Sequence, residues 1–441
     1  MKRLLPLLLC AVLALFCATT AQAAGVSITL TASEYALHYA FDAGAQDPFV
    51  ILEYATPAEK GWMMLYSADG HFEGDVSLAY SGAGGKTSVT LTSARTTGSI
   101  GKTSTTLPKA ADYQKPTGKS NAKVTDFVLT ETPEGFHYAF NAAGTDYMLL
   151  YWRSKEQTVT QPVYPDENGH YEGDVVSELT FARTQFTVQV KSGSGSMKKE
   201  ATVRKGYQAP GAPQRQEGRL SGVTVCIDAG HQENGRFVNE PIGPGLSGST
   251  SGKGGMAQGT KTNRRESIVC LEIGMLLRDE LLRQGANVIM TREDQTTFHT
   301  NIERCEIAEA GGAQIMLRLH CNNSSNHSKR GIQVYGPLNS DYAKAVADAD
   351  TYREMGQELL DAMKTRVGMT LANSTGMVRL NDNYVGNNWA KMMCFLVEMG
   401  YLSNPAEEYL LVTPVYQQWL AEGMADGVYE IAVARGWVQA Q

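Results

Sequence analysis

Val223-Thr-Val-Cys-Ile-Asp-Ala-Gly-His231 is a mostly apolar run that turns, through one glycine, onto an imidazole. It reads as a buried strand, and Gly230 allows the sharp bend that follows. Two later runs share the design. Gln314-Ile-Met-Leu-Arg-Leu-His320 ends on a second imidazole, and Met393-Cys-Phe-Leu-Val-Glu398 ends on a carboxylate. Between them the pattern alternates. A helix from about Glu266 to Gln284 carries Ile268, Leu271, Met275 and Leu282 on one face, with Gly285 suited to its C-terminal cap. Strand Asn287-Val-Ile-Met-Thr291, a helix over about 301–311, a helical stretch over about 340–367 and a last helix from Pro414 to about Arg435 complete the series. This alternation predicts an α/β domain with a mostly parallel or mixed sheet flanked by helices.

In open α/β sheets, ligands collect beyond the carboxyl ends of the strands. His231, His320 and Glu398 fall there, and Glu266 opens the first long helix. Two imidazoles and a carboxylate can hold a divalent zinc ion and leave one coordination position free, while a second carboxylate handles protons. That is the minimum equipment for metal-assisted hydrolysis of an amide.

The N-terminal half is different. Leu37-His-Tyr-Ala-Phe-Asp42 matches Phe136-His-Tyr-Ala-Phe-Asn141, and Gly70-His-Phe-Glu-Gly-Asp-Val76 matches Gly169-His-Tyr-Glu-Gly-Asp-Val175. Both pairs are offset by 99 residues (136 − 37 and 169 − 70), so the blocks are repeats with no net insertion between them. Short alternating runs such as Val26–Thr31 and Gln185–Val190, punctuated by Gly, Asn and Asp, predict two tandem β-sandwich modules, 26–104 and 123–206. His71 and His170 recur at the same turn and read as structural. Linkers are expected at 105–122 and 207–218, followed by a catalytic domain at 219–441.

Lys2, Arg3, the apolar stretch Leu4–Ala18 and Ala21-Gln-Ala23 have the form of a secretory signal, 1–23. The apolar stretch falls short of the roughly 20 residues that cross a bilayer. A secreted product, extracellular or associated with the cell wall and with no membrane segment after cleavage, is therefore expected. The formal charge is −7, or about −9 without Lys2 and Arg3 (−7 − 2), which leaves no basic footprint for nucleic acid. Five cysteines outside the signal, Cys226, Cys270, Cys305, Cys321 and Cys394, lack the spacing of a disulfide framework. Cys321 follows His320 directly, and in an extended segment neighbours point to opposite faces, which argues against ligation by its thiol. The Gly-rich loop from Gln232 to Asn263 reads as a mobile flap beside the site. Arg292 and Arg304 are expected to be ion-pair partners, and Trp389 to pack against the sheet.

Residues 223–435 resemble the zinc-dependent N-acetylmuramoyl-L-alanine amidases of the third type, which cut peptidoglycan between muramic acid and the stem peptide. The likeness rests on Cys226-Ile-Asp-Ala-Gly-His-Gln232, Asn239-Glu-Pro-Ile-Gly-Pro-Gly245, Val288-Ile-Met-Thr-Arg-Glu293, Arg304 with Ala308, Arg318-Leu-His-Cys-Asn322 and Leu396-Val-Glu-Met-Gly-Tyr-Leu-Ser-Asn-Pro405. It implies a Zn2+ cofactor, peptidoglycan as substrate, His231, Glu266 and His320 as metal ligands, and Glu398 as the catalytic acid/base. The chain departs from the family in the basic segment Lys261-Thr-Asn-Arg-Arg265 and in Cys321, where a small alanine is usual; Glu272 is the alternative to Glu266. Two other functions stay open: a zinc peptidase acting within the stem peptide, and a catalytically inert wall-binding protein. Neither the biological setting nor the ligand of the repeats is readable.

Overall fold

The computed structural model describes residues 19–21, 26–111 (apart from 79 and 97), 113, 123–205 (apart from 133–134, 146, 155–157, 177–183 and 193–194), 211–368 (apart from 233–237, 251–254 and 263) and 377–440. The expected signal 1–23 lies outside the described residues except for Thr19–Ala21, as do residues 112 and 114–122 of the expected linker.

The N-terminal half is built entirely of strands: β1 (Thr19–Ala21), β2 (Ile28–Ser33), β3 (Ala36–Asp42), β4 (Phe49–Ala55), β5 (Glu59–Tyr66), β6 (His71–Ser77), β7 (Gly85–Ser93), β8 (Ser99–Leu107), β9 (Thr125–Thr132), β10 (Gly135–Asn141), β11 (Met148–Arg153), β12 (Thr158–Val163), β13 (His170–Val176), β14 (Thr184–Lys191) and β15 (Met197–Lys205). β8 runs to Leu107, so the strand occupies the first residues of the stretch read as a linker. Each strand with alternating polarity has one buried face, as the period of two requires. In the first repeat Leu37, Tyr39, Phe41, Phe72 and Val76 close over Val50, Leu52, Val89 and Leu91. The second repeat does the same with Phe136, Tyr138, Phe140, Tyr171 and Val175 over Leu150, Trp152 and Val188. The same ring stack recurs at both centres, Phe41 on Phe72 at 4.9 Å and Phe140 on Tyr171 at 4.5 Å.

The two repeats share a sheet. β5 pairs antiparallel with β12, joining their inner sheets into one of eight strands, β15-β14-β11-β12-β5-β4-β7-β8. The register is Thr158 opposite Lys60 and Val159 opposite Glu59. Since 158 − 99 = 59 and 159 − 99 = 60, each position faces its neighbour's counterpart, the self-complementary geometry of a two-fold dimer within one chain. Equivalent edge strands thereby cover each other, which removes two exposed edges.

The C-terminal half contains β16 (Thr224–Ala229), α1 (Glu266–Arg283), β17 (Asn287–Met290), α2 (Asn301–Ala310), β18 (Ile315–Asn322), β19 (Gln333–Gly336), α3 (Asp341–Val346), α4 (Ala349–Val367), β20 (Met377–Leu380), α5 (Val385–Trp389), β21 (Met393–Tyr401), α6 (Glu407–Leu411) and α7 (Pro414–Ala434). Its six-stranded sheet has the order β17-β16-β18-β21-β19-β20 and is parallel except for the β19–β21 pair. α1, α4 and α7 cover one face, against Val225, Ile227, Leu317, Leu319, Phe395 and Val397. α2 and α5 cover the other, against Cys226, Met316 and Cys394. The helical stretch expected over 340–367 is two helices. Ala347 is extended, and Asp348 caps α4 by accepting from Thr351 N at 2.8 Å. Among the described residues no helix is long and apolar enough to cross a membrane.

The first repeat is docked on this domain. Phe49 of β4, 1% exposed, belongs to the C-terminal core and meets Tyr416 and Trp419 of α7 edge-on at 6.0 and 5.3 Å. Tyr66 adds a second edge contact to Trp419 at 5.1 Å. Replacing Phe49 with Ala leaves a cavity between the two units and should cost ~3–5 kcal/mol. The expected result is a lower thermal midpoint for loss of the near-ultraviolet aromatic signal; an unchanged midpoint would show that the contact contributes nothing.

Candidate metal centre

The period of two decides which side chains meet. Cys226 and Asp228 of β16, Arg318 and His320 of β18, and Cys394 and Glu398 of β21 all lie on the α2/α5 side of the sheet. The register sets Asp228 beside Arg318 and His320 beside Glu398. Asp228 is fully buried. Its Oδ1 accepts from Arg304 and from Thr291 Oγ1 at 2.8 Å, and its Oδ2 from Arg318 Nε at 2.9 Å. Burial opposes its ionisation, but the two guanidinium groups outweigh burial and hold the carboxyl well below the usual range.

Beyond β16 the chain bends tightly. Gly230 N donates to Leu319 O at 2.9 Å. A Cβ on Gly230 would lie 2.4 Å from that oxygen and 2.7 Å from Cε1 of His320, so no larger residue fits. His231 follows with φ of 58°, a left-handed conformation that costs a non-glycine residue ~1–2 kcal/mol. Two buried arginines brace the bend. Arg292 donates to Ala229 O, Gly230 O and Ser267 O at 2.7, 2.9 and 2.7 Å, and Arg304 to Ala229 O at 3.0 Å and His231 O at 3.1 Å. Arg304 is thus the expected ion-pair partner. Arg292 is instead a clamp on carbonyls, and burial brings its pKa down to about 10.

Glu266, the first residue of α1, reaches the same point from the other side. Its backbone N donates to Ala257 O at 2.9 Å, and its Oε2 accepts from Ala257 N at 2.8 Å. Its Oε1 takes Nε2 of His231 at 3.1 Å, Nδ1 of His320 at 3.0 Å and Cys321 N at 3.0 Å. Ligand atoms of His231, Glu266 and His320 all lie within 4.8 Å of one another. Burial resists the charge of Glu266, while the hydrogen bonds from His231 and His320 override it and keep the carboxyl ionised. Burial likewise lowers the pKa of His320 and so favours the neutral imidazole that a metal needs. The donor set therefore fits zinc: two imidazole nitrogens and a carboxylate oxygen converge, and Nε2 of His320 is buried with no hydrogen-bond partner among the described residues.

Glu398 lies one strand over. Its Oε2 is also buried without a partner among the described residues, and burial, then repulsion by Glu266, raises its pKa well above normal. The four predicted side chains thus come together. Cys321 points to the opposite face, into the core under α1, and all five cysteines are unbridged. Glu272, the alternative to Glu266, pairs with Arg264 at 3.1 Å and takes Gln417 Nε2 at 3.0 Å, away from the centre.

The described part of the loop expected to act as a flap is anchored. Pro241 and Ser249 form a bridge, Asn388 Nδ2 donates to Ile242 O at 3.1 Å, and Trp389 Nε1 to Pro241 O at 2.9 Å. Trp389 therefore grips this loop rather than only packing on the sheet. Glu240, in the same loop, accepts from Asn301 Nδ2 at 2.7 Å and Ile302 N at 2.8 Å, capping α2. Sequence reasoning missed Asp228, Arg318 and Glu408. The first two had a signal: opposite charges inside central apolar strands must pair. Glu408 had none. It is fully buried and gathers Thr260 Oγ1, Lys261 N and Thr262 N at 2.9, 2.9 and 3.2 Å, fixing the loop that leads into Glu266.

An α/β sheet with a His/Glu/His donor set beyond its strand ends carries the equipment of a metal-dependent hydrolase. Residues 225–430 match the family model of the N-acetylmuramoyl-L-alanine amidases, type 3, and this part of the chain belongs to that family. It is 26% identical over 231 residues to the germination-specific N-acetylmuramoyl-L-alanine amidase of Bacillus subtilis (strain 168), covering 49% of this chain and 83% of that protein. It is 27% identical over 218 residues to the probable cell wall amidase LytH of Staphylococcus aureus, covering 48% of this chain and 60% of that protein. Solved structures that align with it include an N-acetylmuramoyl-L-alanine amidase of Clostridium difficile 630 (24% identity, TM-score 0.38, 48% of this chain and 96% of that one) and Ami1 of Mycobacterium abscessus (19%, 0.43, 48% and 99%).

Two tests follow. Gly230→Ala should push His320 aside and weaken zinc retention by more than about tenfold, read by competition with a colorimetric chelator; retention equal to wild type would refute the packing argument. Glu407, beside Glu408, accepts from Gly331 N and Tyr401 N, both at 2.8 Å, and burial pushes its pKa up to about 7. A raised carboxyl means that the folded protein binds a proton the unfolded chain has released. Stability from this group is then complete below about pH 4.5 and is lost as pH rises to about 7. Denaturation midpoints across that window should fall in wild type and flatten in Glu407→Gln; parallel slopes would exclude Glu407 as the source.

Proposed function

We propose that the chain is a secreted zinc-dependent N-acetylmuramoyl-L-alanine amidase that hydrolyses the amide between muramic acid and L-Ala of the stem peptide. In this reading 219–441 is the catalytic domain, and 26–104 and 123–206 are β-sandwich modules. The observation that carries it is the convergence of Nε2 of His231 and Nδ1 of His320 on Oε1 of Glu266, with Glu398 on the next strand. Family membership of residues 225–430 supports the substrate class.

His231, Glu266 and His320 would hold the zinc ion. When bound, zinc supplies Lewis acidity toward the amide carbonyl and toward an attacking water. Glu398, whose burial raises its affinity for a proton, takes the proton from the water and returns it to the leaving amine of L-Ala. Cys321 N and Ala257 N hold the Glu266 carboxylate at both oxygens, so that ligand keeps its orientation through the cycle. No covalent nucleophile is required.

Glu398→Gln should lower release by ~10²–10⁴-fold with zinc content unchanged, read by mass spectrometry of digested wall. Wild-type protein should yield intact peptides beginning at L-Ala and free lactyl groups on the glycan. Cleavage between amino acids would replace this reading with a stem-peptide peptidase. A dialysed, chelator-treated sample should lose activity and regain it on adding zinc; activity that survives chelation would exclude the metal assignment.

A further inference from the structure

A cavity of about 440 Å³ opens where the first repeat, the second repeat and the amidase domain meet. Trp62 of β5 and Tyr409 of α6 form one wall, their rings edge-on at 4.6 Å, and Tyr54 continues it. Gly61 keeps the wall open: a Cβ there would lie 2.7 Å from the Tyr54 hydroxyl. Ser88, Thr90 and Thr158 line the same space, the last contributed by β12 across the sheet junction. Lys60 and Lys261 complete the rim with Glu53, and among the described residues neither lysine forms an ion pair. Its size lies within the ~300–1,000 Å³ of small-ligand sites.

These lining residues are not demanded by the repeat's fold. At the equivalent positions 99 residues on, Glu53, Tyr54, Lys60 and Trp62 are replaced by Trp152, Arg153, Val159 and Gln161. The counterparts of Lys60 and Trp62 thus carry neither a cation nor an aromatic ring, while Trp152, the counterpart of Glu53, is buried in the core of the second repeat. Docking on the amidase accounts for the Trp62–Tyr409 contact, but it uses neither lysine and none of the hydroxyls.

We propose that this cavity binds a saccharide carrying a carboxylate, namely the glycan strand left with free lactyl groups after the amide is cut. The inference rests on the amidase reading above. Aromatic faces suit the C–H face of a pyranose ring, serine and threonine hydroxyls suit its hydroxyl groups, and the two lysines suit the carboxylate, which exists only once the peptide has left. Lys261 is also placed to relay occupancy. Its backbone is held by Glu408 at 2.9 Å, and five residues later the same segment delivers Glu266. A glycan held here keeps the enzyme on stripped strands while the metal centre meets the next stem peptide.

The test is isothermal titration of the full chain carrying Glu398→Gln with N-acetylglucosaminyl-N-acetylmuramic acid, with chitobiose and a free stem peptide as comparators. The disaccharide should bind, chitobiose should bind more weakly, and Lys60→Glu and Lys261→Glu should each weaken the disaccharide by about three- to tenfold. Ser88→Tyr, which fills the cavity from a half-buried strand position, should abolish binding. With Glu398 restored, Lys60→Glu or Ser88→Tyr should leave cleavage of soluble muropeptide at the normal rate but slow the processing of whole sacculi. Disaccharide binding that ignores all three substitutions, or stem peptide binding that responds to them instead, would overturn the assignment. Failure of wild-type protein to cleave muropeptide would sink the amidase reading instead, a separate outcome.

Discussion

One buried carboxylate sets the geometry of the whole centre. Asp228 lies inside the sheet, where an unpaired charge would cost several kcal/mol, so both of its oxygens must be satisfied. Arg318 does so from the next strand and Arg304 from α2. Arg304 then uses its other arm on His231 O, and Arg318 donates to Asn301 at 2.7 Å, which in turn holds Glu240 of the loop beside the site. The groups that neutralise Asp228 are therefore the groups that place the first imidazole, the start of α2 and the neighbouring loop. Removing Arg304 would strand charge in the interior, a loss of ~3–5 kcal/mol, and would take away part of the brace on the bend before His231.

A second constraint acts at the domain level. The eight-stranded sheet makes the two repeats one body, and Phe49, Tyr66 and Trp62 seat that body on α6 and α7. Interfaces between domains of one chain are commonly polar and permit relative motion. This one is aromatic and continuous with the C-terminal core, and Arg330 beside β19 donates across it to Arg95 O. The repeats thus share a packed aromatic core with the C-terminal domain.

The sequence disclosed what its own periodicity encodes. Strand ends, the long helices α1, α2 and α7, and the four side chains His231, Glu266, His320 and Glu398 stand at positions where an apolar run stops or starts. Pairing between distant segments was hidden. β19 and β20 are four residues each, too short to show a period, and α5 and α6 make little more than one turn. The break at Ala347 hides inside a helix-compatible composition, visible only as the capping Asp348. The β5–β12 junction could not be read either, because an edge strand has the same alternation whether it meets water or its own counterpart. Glu407 and Glu408 look like an exposed acidic helix start, yet both are buried, because loops remote in sequence present backbone N–H groups to them.

The two carboxylates at the centre show how environment, not residue type, divides labour. Glu266 is a buried acid and Glu398 a half-buried one on a neighbouring element. Glu266 receives two backbone N–H groups and two imidazoles, which hold it ionised, as the proposed ligand role requires. Among the described residues Glu398 receives no comparable donors, and the fixed charge of Glu266 adds to the cost of ionising it. Pairs of acids pushed apart in this way take separate roles, one as a fixed charge and one as a proton carrier. The division follows from the fold. The helix start that aims Glu266 is where backbone donors are free, whereas the strand interior that carries Glu398 has spent its own on the ladder.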